Sequence, residues 1–128
     1  MSLTNIAEKL FFRARQHELE RHFNDAEAMQ AEVLDYLVAR GKNTEYGRNH
    51  LFGTIKGYED FAQNIPVNTY EELKEDIDRM RHGESNVLWP GQVKWYAKSS
   101  GTTNDKSKFI PVSADGLKQI HYQGGKDV

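Results

Sequence analysis

Lys98–Pro111 reads KSSGTTNDKSKFIP. Four hydroxyl side chains, Ser99, Ser100, Thr102 and Thr103, flank one glycine, Gly101, and two lysines, Lys106 and Lys108, follow within a few residues. Strand-like runs lie on both sides, Val93-Lys94-Trp95-Tyr96-Ala97 before and Phe109-Ile110-Pro111-Val112 after. A flexible polar loop between two strands suits a phosphate chain. The glycine lets the backbone approach an anion closely, and successive N–H groups in such a turn form a concave nest. Hydroxyls donate to phosphate oxygens, and lysine supplies a mobile point charge. The Walker loop is a different object, because it needs a glycine, a lysine and then a helix at fixed spacing. The same residues also suit a solvated hairpin loop. Chemistry alone leaves both readings open.

Outward from this stretch, the chain has 128 residues, no cysteine and a formal net charge of -2, with a sequence pI near 6.2. The length suits one small domain with a modest core. The charge argues against a nucleic-acid binder that works by bulk positive charge. Without cysteine there is neither a disulfide framework nor a thiolate metal site. No apolar run approaches the roughly 18 residues of a membrane span. The N-terminus, MSLTNIAEKLFF, lacks the basic start and apolar run of a signal peptide. A cytoplasmic protein is expected, with no membrane or nucleic-acid partner.

The N-terminal half reads as helical. Leu3, Ile6, Ala7, Leu10, Phe11 and Ala14 recur at helical spacing, and the segment runs on towards Phe23. Asn24 or Asp25 then offers a cap for a second helix over 26–40, whose stripe is Ala26, Met29, Val33 and Leu37, widened by Leu34 and Val38. Gly41 is expected to stop it as the residue past the C-cap. Two amphipathic helices on a short link suggest an αα-hairpin. In Asn43-Thr44-Glu45-Tyr46-Gly47, Thr44 is a cap for a short turn, with no chemistry assigned. Tyr58, Phe61, Ile65 and Val67 form a mixed apolar stretch. Thr69 and Glu72 have capping-box spacing for a helix from about Tyr70, with Leu73, Ile77 and Met80 as its apolar face and Gly83 at its end. The acidic residues Glu71, Glu72, Glu75 and Asp76 sit where a helix dipole favours them and read as a solvated face. Trp89-Pro90-Gly91 marks a turn. After Val112, Ser113 caps a further helix through Leu117, Ile120 and His121.

Other constellations carry less. His17 and His22 are five apart, on different faces of a helix, and no histidine pair has ligand spacing, so no metal site is expected. No serine sits in a nucleophile elbow. Trp95 and Tyr96 between lysines evoke base stacking, but neighbours on a strand face opposite ways.

A resemblance sharpens the reading. SSGTT followed by a lysine is similar to the phosphate loop of the adenylate-forming superfamily. The longer string SSGTTNDKSKFIP resembles the Gretchen Hagen acyl-acid–amido synthetases, the auxin-responsive promoter family of plants and its bacterial relatives, here of bacterial type. HELERHFNDAEAMQAEVL, NTEYG, IPVNTYEEL, GESNVLWPG, KWYAKSSGTT, KSKFIPVS and HYQGGKDV follow in the family's order, from about Glu18 to Val128. One departure stands out: many superfamily members carry a second glycine just after the hydroxyl string, where this chain has Asn104 and Asp105. Both types tolerate the left-handed conformation, but a carboxylate beside a triphosphate is unfavourable unless it points away or meets Mg²⁺.

The resemblance implies ATP phosphate contacts from Ser99, Ser100, Gly101, Thr102 and Thr103, with Lys108 as the motif's lysine and Mg²⁺ arriving with ATP. It implies a ligase that activates a small carboxylic acid as an acyl adenylate and passes it to an amine or amino acid. The expected fold class is α+β, mainly helical with a short β-hairpin around the Ser/Thr-rich loop, as the N-terminal part of an α/β adenylate-forming domain. The expected layout is one incomplete domain over 1–128: a helical region over 1–83, strand–phosphate loop–strand over 93–113, and a truncated helix over 114–128. The family's acid pocket, later nucleotide motifs and mobile C-terminal domain lie beyond these residues. The segment is therefore expected to be a fragment with weak or absent ATP binding and no catalysis of its own. The alternative is a non-catalytic helical interaction module, with self-association through exposed apolar helix faces.

Overall fold

The structure is a computed structural model that describes residues 24–99 and 107–122, together with residues 13, 16, 20 and 21. The described residues fall into two compact units, one up to Leu37 and one from Val38 onward.

In the first unit, Arg13, Gln16, Glu20, Arg21 and Asn24 are helical; the rest of the expected first helix lies outside the described residues. Asp25 N–H donates to the Arg21 carbonyl and Met29 N–H to the Asp25 carbonyl. Arg21 Nη2 meets Glu32 Oε1 at 3.0 Å.

Helix α1 covers Ala26–Gly41. Its expected stripe is corrected in part. Val33 and Leu37 are exposed, whereas the flanking Val38 is buried. Gly41 is also corrected. It is the last helical residue and is not among the positive-φ residues. A Cβ there would lie 2.9 Å from the Phe52 ring. Close packing, not a left-handed turn, requires the glycine.

Helix α2, Glu45–Asn49, is capped by Thr44 as expected. A 3₁₀ turn at Phe52–Thr54 follows. Helix α3, Tyr58–Asn64, has no side-chain cap; the sequence pattern gave only an apolar stretch there. Helix α4, Tyr70–Arg81, has the full capping box: Thr69 N–H donates to Glu72 Oε2 at 2.6 Å, and Glu72 N–H to Thr69 Oγ1 at 3.4 Å. Its apolar face supplies Ile77 and Met80 to the interior. Met80 joins Val87 and Val93 in a small core, with Leu88, Trp89 and Tyr96 packed against it.

Strands β1, Trp95–Lys98, and β2, Phe109–Val112, form a two-stranded antiparallel sheet. β1 begins two residues later than the strand-like run. Pro111, which has no N–H to give a ladder, sits opposite Tyr96, as the edge position of β2 allows. Ser113 caps a short helix α5, Ala114–Gly116, which continues as a wider π-helical turn through Leu117–Tyr122. The described residues are mainly helical with one hairpin, the α+β class expected.

Candidate phosphate-binding hairpin

The ladder continues one step past its last pair, Lys98 opposite Phe109. Ser99 N–H donates to the Lys108 carbonyl at 2.9 Å, and Lys108 N–H donates to Ser99 Oγ at 3.1 Å. Two of the expected site residues are thus brought together at the neck of the loop. Both are half-buried. As an acceptor from Lys108, the Ser99 hydroxyl keeps its own proton to give. Ser100, Gly101, Thr102 and Thr103 lie outside the described residues.

Helix α4 braces the neck from its two ends. Tyr70, its first residue, accepts the Phe109 N–H on its phenol oxygen at 3.1 Å. The Tyr70 ring also lies under the Lys108 ammonium, 5.5 Å from Nζ to the ring centre. Arg81, its last residue, places its guanidinium 3.7 Å over the Phe109 ring and pairs with Asp78 at 2.8 Å. Sequence spacing could not reveal the Tyr70 contact, because 39 residues separate the partners. β1 splits its aromatics as a strand should: Trp95 is half exposed, while Tyr96 packs on the core. Burial pushes the Tyr96 phenol up, against a smaller opposing influence from Arg81.

A second constellation surrounds Thr44. This side chain is 1% exposed; its hydroxyl donates to the Gly41 carbonyl at 2.7 Å and accepts the Gly47 N–H at 3.0 Å. A Cβ on Gly47 would lie 2.1 Å from the Gly41 carbonyl oxygen. The N–H groups of Glu45 and Tyr46 donate to the carbonyls of Asn86 and Val87. Asn86, at φ 61, closes its own loop by accepting Gly91 N–H on Oδ1 at 2.8 Å. Arg79 then ties the pieces: it makes a two-point contact with Glu45 at 3.0 and 2.7 Å, a second with Glu84, and reaches Asp76 at 2.9 Å. These hydrogen bonds from Arg79 hold the Glu45 and Glu84 carboxyls below their ordinary range. They also raise the guanidinium above its own ordinary value, Glu45 contributing most and Glu84 next.

His50 and His82 end helices α2 and α4, and each ring Nδ1 lies within 2.9 Å of the carbonyl four residues back. A carbonyl only accepts, so Nδ1 carries the proton in both. Among the described residues no group of three or more His, Cys, Asp or Glu is placed to hold a metal ion. No described helix is long and apolar enough to cross a membrane.

The GH3 family N-terminal domain matches residues 15–126. The chain belongs to the GH3 family. It is similar to indole-3-acetic acid-amido synthetase GH3.15 of Arabidopsis thaliana, 33% identical over 102 residues, which cover 79% of this chain and 17% of the relative. The probable indole-3-acetic acid-amido synthetase GH3.2 of Oryza sativa subsp. japonica is 35% identical over 112 residues, 87% of this chain and 17% of the relative. Indole-3-acetic acid-amido synthetase GH3.17 of Arabidopsis thaliana is 33% identical over 103 residues, 79% of this chain and 17% of the relative. This GH3 chain therefore spans about a sixth of these relatives' length. The family match includes the hairpin, its loop and the Thr44 constellation.

Proposed function

We propose that this chain is the N-terminal part of an ATP-dependent acid–amido synthetase, and that the Ser99–Lys108 hairpin holds ATP phosphates in it. The observation that carries the reading is the neck, where Ser99 and Lys108 hydrogen-bond to each other at the two ends of a glycine- and hydroxyl-containing loop. Loop N–H groups and hydroxyls, with Lys108, would offset charge on the phosphates. Mg²⁺ would enter on the ATP oxygens, since it is held by few protein ligands when phosphates supply the rest.

In this reading a carboxylate oxygen attacks the α-phosphorus. The bond to the pyrophosphate leaving group breaks, giving an acyl adenylate and pyrophosphate. An amine nitrogen, from an amino acid, then attacks the acyl carbon; the bond to AMP breaks and the amine gives up a proton. The acid pocket and the adenine and ribose contacts belong to residues beyond this segment, so the segment alone binds ATP weakly and does not catalyse. The reaction belongs to the cytoplasm, where ATP is available.

ATP–pyrophosphate exchange by the full-length protein tests this, across a panel of carboxylic acids that includes the indole-3-acetic acid of the relatives' names. Acid-dependent exchange is expected. Absence of exchange with every acid, in a protein shown to be folded, would count against an adenylating ligase. Acyl-AMP formation by residues 1–128 alone would overturn the fragment reading.

One observation favours a second reading, a helical interaction module: Val33 and Leu37 expose an apolar edge of α1. Concentration-dependent self-association, abolished by Val33→Glu with Leu37→Glu in a protein without exchange activity, would support it.

A further inference from the structure

We infer that Tyr70 is a positioning residue for the phosphate loop, setting the place of Lys108 from the start of helix α4. The inference rests on the reading of the hairpin as a phosphate site and adds to it a residue outside the motif. Three observations carry it. The Tyr70 phenol oxygen accepts the Phe109 N–H at 3.1 Å. Its ring lies 5.5 Å from the Lys108 ammonium. Lys108 is itself bonded through its backbone to Ser99, both ways across the neck.

The geometry has a physical logic. In an antiparallel pair, alternate N–H groups point away from the partner strand. On a two-stranded sheet such an outward donor needs a partner from elsewhere, and the Phe109 N–H finds it in Tyr70. The hydroxyl therefore fixes the backbone position of β2 one residue after Lys108. The ring, through its negative face, favours one placement of the ammonium among the many a four-carbon stem allows. Tyr70 is in turn held by the helix it begins: Thr69 and Glu72 lock the first turn, and Ile77 and Met80 bury the far end. The capping box thus has a consequence at the loop, because it fixes where the tyrosine stands.

The test uses the full-length protein and calorimetric titration with Mg·ATP and, separately, with adenosine, which lacks every phosphate. Tyr70→Phe removes the acceptor and keeps the ring; it is expected to weaken Mg·ATP about fivefold. Tyr70→Leu removes both and is expected to weaken it roughly tenfold. Adenosine affinity should stay at the wild-type value in both, which a general loss of structure would not allow. Lys108→Ala serves as the comparison. If it weakens Mg·ATP while both Tyr70 variants bind like wild type, the positioning role is wrong and the phosphate site stands. If Lys108→Ala also binds Mg·ATP like wild type, the phosphate site falls and the role of Tyr70 with it. Equal weakening of ATP and adenosine in Tyr70→Phe would mark a purely structural contact and overturn the inference.

Discussion

The Thr44 constellation and the Ser99–Lys108 neck are both polar and both lie inside family-matched sequence, yet they spend their polar groups differently. Around Thr44 the donors and acceptors meet one another. The hydroxyl is bonded in both directions, the N–H groups at the start of α2 end on the 86–87 carbonyls, and Arg79 faces three carboxylates. At the neck, backbone groups pair across the strands, the Ser99 hydroxyl accepts from the Lys108 N–H, and the Lys108 ammonium lies over the Tyr70 ring. The first arrangement closes on itself and holds structure. In the proposed reading the second holds its backbone still and presents Ser99 and Lys108 to a phosphate ligand.

If that distinction holds, substitutions near Thr44 reduce stability and those at the neck reduce binding. The largest effect is expected from Gly47→Ala. Its Cβ would lie 2.1 Å from a backbone oxygen, which no rotamer change relieves. A loss of about 3 kcal/mol is expected in urea unfolding of the protein. A stability within error of wild type would show that the Gly41–Gly47 approach is loose and break the comparison at its firm end. Thr44→Val keeps the shape and removes both hydrogen bonds in a site 1% exposed. About 2 kcal/mol should be lost.

How far these regions could be read from sequence follows from how local their interactions are. The capping box at Thr69 and Glu72, the Ser113 cap and the Thr44 cap are contacts within three residues, and the spacing revealed each. The hairpin was legible because two β-rich runs flank a turn-forming loop. Helix α3 was missed: it is seven residues long and starts without a side-chain cap, so periodicity had too little to work on. Gly41 was assigned to the wrong cause because its partner, Phe52, comes from a different element. Arg79 and Glu45 are 34 residues apart and Tyr70 and Phe109 are 39 apart; neither pairing leaves a trace in any local pattern. Of the expected site residues, Ser99 and Lys108 are described and meet at the neck, and the Tyr70 contacts beside them come from a different element.

The Arg79 cluster gives a pH test of intermediate size. Glu45 and Glu84 have carboxyls held below their ordinary value of 4.5, chiefly by hydrogen bonds from Arg79. A lowered folded-state value means the folded state binds protons less readily than the unfolded one. The contribution is therefore complete above about pH 4.5 and is lost as pH falls through the folded values. The melting temperature should drop across that acid window, and Arg79→Gln should flatten the drop. Glu72 is lowered independently by the Thr69 N–H and hydroxyl, so some acid sensitivity should survive in the variant. An unchanged acid profile in Arg79→Gln would show that the cluster contributes no linkage.

The smallest stability effect is expected from Lys108→Met, which makes it the sharper half of the comparison. Methionine keeps most of the stem and removes the charge. The backbone bonds to Ser99 involve the Lys108 N–H and carbonyl, which the substitution leaves in place. Folding stability should fall by no more than about 1 kcal/mol, the scale of the ring contact that the ammonium makes with Tyr70. Mg·ATP affinity should fall roughly tenfold, the scale of one lost charge-assisted contact, and the deficit should narrow as salt screens the remaining charges. The outcome that would sink the distinction is the reverse pattern, a clear loss of stability with ATP affinity intact. Lys108 would then serve the fold as Arg79 does, and the neck would differ from the Thr44 constellation only in size.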